Sequence, residues 1–189
     1  MLDSSLSTPE QIYQLKITLV GSKPPIWRRV EVSANATLSS LHRIIQVAMG
    51  WYDYHLHQFT IDGVIYGIPH PEDFLEVHDE RLVLLYQVIT GPKMKFRYEY
   101  DFGDNWEHTI LVEKVLPPAE GVIYPRCVTG KRACPPEDCG GIYGYTDFLE
   151  AINTPDHPAH AEMLEWSGGS FDPEAFDCTH VNDVLQRLA

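Results

Sequence analysis

No apolar run in this 189-residue chain approaches the roughly 20 residues needed to cross a bilayer, so no membrane-spanning helix is expected. Residues 1–11 lack the basic and apolar regions of a secretory signal, and a cytoplasmic location is expected. Basic side chains are scarce: 14 Lys and Arg stand against 27 Asp and Glu, a formal net charge of −13. That surplus repels phosphate backbones, which disfavours duplex nucleic acid as a partner and leaves a protein as the one to consider. Cys127, Cys134, Cys139 and Cys178 are too few for a disulfide scaffold, and a reducing compartment keeps them as thiols or ligands. Neither an internal repeat nor a low-complexity tract is present.

What the chain does have is enough apolar material for a core, 44% of its residues. Residues 1–10 read as a flexible arm, and 11–189 as one domain. Tyr13, Leu15, Ile17 and Leu19 alternate with polar residues, as a half-buried strand requires. After Pro24-Pro25, a second strand over 26–32 puts Ile26, Arg28, Val30 and Val32 on one face. Thr37 as N-cap, the stripe Leu41, Ile44, Ile45, Ala48 and a closing Gly50 predict a helix. A third strand carries His55, His57, Phe59 and Ile61 on one face, and Asp62-Gly63 turns it back through Val64–Tyr66. Residues 67–80 read as a loop, and Leu82–Ile89 is apolar without a period.

Strands over 94–100 and 106–112 form a hairpin with Asp101–Asn105 at its tip, and 116–142 reads as a long loop. Helices are predicted over 147–152, over 155–166 with Thr154 as cap, and over 178–188 after Asp177, with Val181, Val184, Leu185 and Leu188 as the stripe of the last. Hairpins first, one early helix and helices gathered at the end argue for an α+β fold with an antiparallel or mixed sheet and the C-terminal helices packed on it.

Chemistry concentrates in Tyr100–His108, which holds Asp101, Asp104, Trp106 and His108, and in Cys134–Gly141, where Pro135-Pro136 stiffens the backbone at Glu137 and Asp138. Asp101 and a positive-φ Gly103 would make a purely structural turn. Alternatively Asp101, Asp104 and Glu137, with His55 and His57, which lie roughly 7 Å apart along a strand, hold a divalent cation. In a catalytic version, a hydrolase acting on a phosphoester for example, Asp104 and His108 are the catalytic pair and His108 moves protons. His108 shares a face with Trp106, Ile110 and Val112, so a core histidine is the competing reading. Should the second loop fold over the hairpin tip, four carboxylates meet, and such crowding needs a cation, an arginine or raised pKa values. Arg28, Arg29 and Lys131-Arg132 are the basic candidates, and Arg28 joins the expected binding set of Asp101, Asp104, Trp106, His108, Glu137 and Asp138. The intervals between Cys127, Cys134 and Cys139 do not match a zinc knuckle.

The segments Pro24–Arg29, Gly50-Trp51, His55–Phe59, Tyr98–His108 and Pro135–Gly141, together with Gly144-Tyr145 and Phe171–Pro173, closely resemble the family named after an open reading frame of plasmid pRiA4b. The resemblance implies a single α/β roll and supplies no activity. A resolvase function attached to some of its members needs a nucleophilic serine among arginines and a basic DNA-binding tail. This acidic chain offers neither, so that function is not carried over. A binding module with an acidic, histidine-containing cleft is the leading expectation, and a metal-dependent hydrolase the alternative.

Overall fold

The computed structural model describes residues 10–72 and 74–187. Apart from Glu10, the expected N-terminal arm lies outside them, as does Leu188. Eight strands form one mixed sheet in the order β5-β4-β3-β6-β7-β1-β2-β8. They are β1 (Ile12–Leu19), β2 (Trp27–Ser33), β3 (His57–Ile61), β4 (Val64–Gly67), β5 (Val77–Asp79), β6 (Lys95–Tyr100), β7 (Trp106–Leu116) and β8 (Arg126–Lys131). All pairs are antiparallel except β4 with β5. The helices are α1 (Leu38–Met49), α2 (Leu85–Val88), α3 (Gly141–Asn153), α4 (His160–Trp166) and α5 (Cys178–Leu185).

Alternation in β1, β2, β6 and β7 drives one face of the sheet inward, and Leu15, Ile17, Val30, Phe96, Tyr98, Ile110 and Val112 join the α1 stripe in a continuous core. Each such side chain contributes roughly 1.5–3 kcal/mol by leaving water. Helix α1 begins where the Thr37 hydroxyl accepts from Ser40 N–H, and ends where Gly50, at φ 97°, donates its N–H to Gln46 O. Asp62 and Gly63, at φ 49° and 82°, close the β3–β4 hairpin.

Several boundaries differ from expectation. Strand β3 starts at His57, which leaves His55 in the preceding bend. The expected loops over 67–80 and 116–142 contain the short edge strands β5 and β8, whose few residues carry too little alternation to be read. The segment Leu82–Ile89 contains the single-turn helix α2. Helix α3 starts at Gly141 rather than 147, since its Gly141 and Gly144 oppose helix formation locally and are required by close packing. Helix α4 starts at His160 rather than 155, because Pro158 lacks an N–H and residues 154–160 form two turns instead.

Candidate functional site

The hairpin tip leaves the sheet at Asp101, whose backbone sits at φ 58°, and returns at Asn105, at φ 56°. The strained positions are therefore these two and not Gly103. Asn105 N–H donates to Asp101 O, and Asp101 Oδ1 accepts from the N–H groups of Gly103 and Asp104 at 2.9 and 3.3 Å. That is the structural turn anticipated above, but it occupies one carboxylate oxygen only. The other, Oδ2, lies 3.6 Å from His55 Nε2, which is also 3.2 Å from Asp138 Oδ1.

Four hydrogen bonds hold the Pro135–Gly141 loop in place, one of them to the hairpin tip. Trp51 Nε1 donates to Pro135 O at 3.0 Å, and the Tyr100 hydroxyl donates to Glu137 Oε1 at 2.5 Å. Tyr52 N–H reaches Glu137 Oε2, and Gly140 N–H reaches Asp104 Oδ2. Burial together with the Glu137 carboxylate pushes the Tyr100 phenol well above its ordinary value, so it stays a donor. Asp104 and Glu137 thus brace the loop. His55, Asp101 and Asp138, from three distant segments, present one ligand atom each, all within 4.8 Å of one another. His55 Nε2 is buried and has no hydrogen bond of adequate geometry among the described residues.

Three residues expected in this cleft are in the interior instead. Strand β7 turns Trp106 and His108 to the same inward face as Ile110, away from the tip. The Trp106 indole N–H and both His108 ring nitrogens are buried without a hydrogen-bond partner among the described residues. His108 packs edge-on against Trp51 at 5.4 Å, and burial lowers its pKa to about 3, against a small opposing pull from nearby backbone carbonyls of Trp106 and Tyr98. The ring is 0% exposed, and it has no hydrogen bond to Asp104 among the described residues. Arg28 is also buried, and it contacts backbone carbonyls rather than the acids. Arg29 pairs with Glu113, and Arg132 with Glu174. Among the described residues, no Lys or Arg forms an ion pair with Asp101, Asp104, Glu137 or Asp138.

A family model described as "Plasmid pRiA4b ORF-3-like protein" matches residues 11–180. The chain belongs to this family. An uncharacterized protein, y4hQ, from Sinorhizobium fredii is 41% identical over 181 residues, which cover 94% of this chain and 92% of the relative. The crystal structure of MM3350, a protein of unknown function from Methanosarcina mazei, is similar with a TM-score of 0.82 and 39% identity, covering 90% of this chain and 97% of that one. These matches name no activity.

In this pRiA4b ORF-3-like chain, sequence reasoning missed a second cluster beside the first. The His42 and His57 rings stack at 3.4 Å with 4° between their planes. His42 bonds the Tyr98 hydroxyl and Asp53, and His57 bonds the buried Glu80, each at 2.8 Å. The signal was the position of His42 on α1, four residues after Leu38 and three before Ile45, inside the apolar stripe. Burial and the facing His57 lower the His42 pKa to about 4, partly offset by Asp53. Burial alone would raise Glu80, but hydrogen bonds from His57 and Ser39 leave it below the ordinary carboxylate value. Although His42, Asp53 and His57 have ligand-like spacing, imidazole lone pairs lie in the ring plane, so two parallel rings cannot both aim at one ion. This cluster ties α1, β3 and the 3₁₀ turn Glu80–Leu82 together.

No helix among the described residues is long and apolar enough to cross a membrane. All four cysteines are free, and burial raises Cys127 and Cys139 to about 12, which keeps both as thiols.

Proposed function

We propose that this chain is a binding module whose acidic cleft holds a divalent cation through His55 Nε2, Asp101 Oδ2 and Asp138 Oδ1. One observation carries the reading: carboxylates converge on a buried imidazole nitrogen without any arginine or lysine to neutralise them. Ligand atoms bonded to a cation at about 2.1 Å stand roughly 3.0–3.4 Å apart, near the 3.2 and 3.6 Å from His55 to the two acids. One imidazole with two carboxylates suits Zn²⁺, Mn²⁺ or Fe²⁺ better than Ca²⁺, and three protein ligands leave coordination positions open to a bound partner. The rim supports a contact surface as well, since Tyr52, Tyr54, Leu56 and Phe102 are exposed beside the triad. Hydrolysis would need a group moving protons at the cation, and the burial of His108 removes the one expected for it. Binding is therefore favoured over catalysis.

The test is calorimetric titration of chelator-treated protein with Zn²⁺ and Mn²⁺, followed by thermal melting. Saturable binding is expected, with a stabilisation of about 1.4 kcal/mol at tenfold excess over Kd. Asp138→Asn and His55→Ala should abolish both effects, and Asp138 is exposed enough for its variant to fold. A parent protein that melts identically with and without these ions would end the proposal.

A further inference from the structure

The most buried described arginine has no anionic partner, and the other described arginines that lack one, Arg43 and Arg187, are exposed. Arg29, Arg81, Arg97, Arg126 and Arg132 each lie within ion-pair distance of a carboxylate. Arg28, only 2% exposed, has none among the described residues. Its Nε donates to Ala48 O at 2.6 Å, and its Nη1 donates to Trp27 O and Lys131 O at 2.9 Å each. Phe176 covers one face of the guanidinium at 4.1 Å, and Gly130 makes room for that stack, since a Cβ there would sit 2.8 Å from the Phe176 ring and 2.9 Å from Arg28 Cδ. The Ala48 carbonyl lies in the last turn of α1, so the negative end of the helix dipole offsets part of the buried charge. Carbonyl dipoles do not replace a counter-ion, and a buried charge is expensive without one.

Nη2 has no hydrogen-bond partner among the described residues, and Arg28 lines a cavity of about 510 Å³. Val47, Met49, Trp51, Phe176, Val181 and Val184 supply apolar walls. His180 and Asp177 also border the cavity; Asp177 is exposed, and its Oδ1 is committed to the start of α5 through the N–H groups of Thr179 and His180. A largely apolar pocket of this size with one fixed polar anchor is the usual form of a small-molecule site.

We propose that this cavity binds a small monocarboxylate with an apolar body, the carboxylate accepting from Arg28 Nη2 and the body lying against Trp51, Met49 and Val181. One half-committed guanidinium balances a single negative charge. A phosphate dianion would bring surplus charge against apolar walls and is the weaker fit.

The experiment is calorimetric titration of the full chain, in chelator so that the cation site is silent, with sodium phenylacetate, sodium octanoate, phenethylammonium chloride and inorganic phosphate at matched ionic strength. Saturable one-to-one binding of phenylacetate or octanoate is expected, and none of the amine. Because Arg28 also ties β2 to α1, the deciding variant is Ala175→Trp, which fills the cavity from an exposed position and should weaken carboxylate binding by about tenfold or more, as should Arg28→Lys if it folds. The proposal falls if neither carboxylate binds, if the amine or phosphate binds as tightly, or if Ala175→Trp leaves the affinity unchanged.

Discussion

Gly141→Ala is expected to destabilise the domain by about 2–5 kcal/mol, and to cost roughly 1–3 kcal/mol more than Gly121→Ala. The two glycines have similar backbones, at φ 68° and 73°, so both variants suffer the left-handed penalty. Only Gly141 is also crowded: a Cβ there would lie 2.4 Å from the carbonyl oxygen of Asp104, whereas nothing lies within 4 Å of one at Gly121. Relief requires the Pro135–Gly141 loop to withdraw from the hairpin tip, breaking the Gly140 N–H bond to Asp104 and carrying Asp138 away from His55. Denaturant midpoints of the two variants measure the difference, and cation titration of Gly141→Ala should show weakened binding. Equal losses in the two variants would mean that the loop does not approach the tip this closely in solution.

Acid is expected to weaken the fold below pH 6.5, and His108→Leu to remove much of that sensitivity. In the unfolded chain His108 takes its proton near 6.5, but the folded protein resists until about 3. Between those values the unfolded state binds more protons, so stability falls as the pH falls, and above 6.5 the effect vanishes. At pH 4.5 the two-unit gap corresponds to about 2.7 kcal/mol from this ring. His42, held neutral down to about 4, adds a second contribution of the same sign, which the variant leaves in place. At pH 7.5, His108→Leu removes two buried nitrogens without partners, so its stability should equal or exceed that of the parent. Urea midpoints at pH 7.5 and 4.5 provide the comparison. An acid limb as steep in His108→Leu as in the parent would show that the imidazole is not buried and neutral.

The parts legible from sequence were those coded by neighbours along the chain. Thr37 and Gly50 bound α1 through hydrogen bonds within four residues, and Asp62-Gly63 closes a hairpin by backbone geometry alone. The inward faces of β1 and β2 followed from alternation. Helix α3 was hidden because Gly141 and Gly144 answer to contacts with Asp104 and Cys139, while read locally they argue against a helix. His55 and His57 looked like one ligand pair on one strand. The strand starts two residues later than read, so His55 turns to Asp101 and Asp138 while His57 stacks on His42.

By itself the sequence determined the α+β class, the capped first helix, the acidic hairpin tip and the membership signalled by its motifs, because each depends on local periodicity or residue chemistry. Only the tertiary structure decided which oxygen of Asp101 is free, that Asp104 and Glu137 serve as braces, that His108 and Trp106 face the core, and that Arg28 lines a cavity with no carboxylate paired to it. Those outcomes depend on which side chains from distant segments meet, and that is set by strand register and by the backbone at positions such as Asp101 and Asn105, which neighbouring residues do not specify.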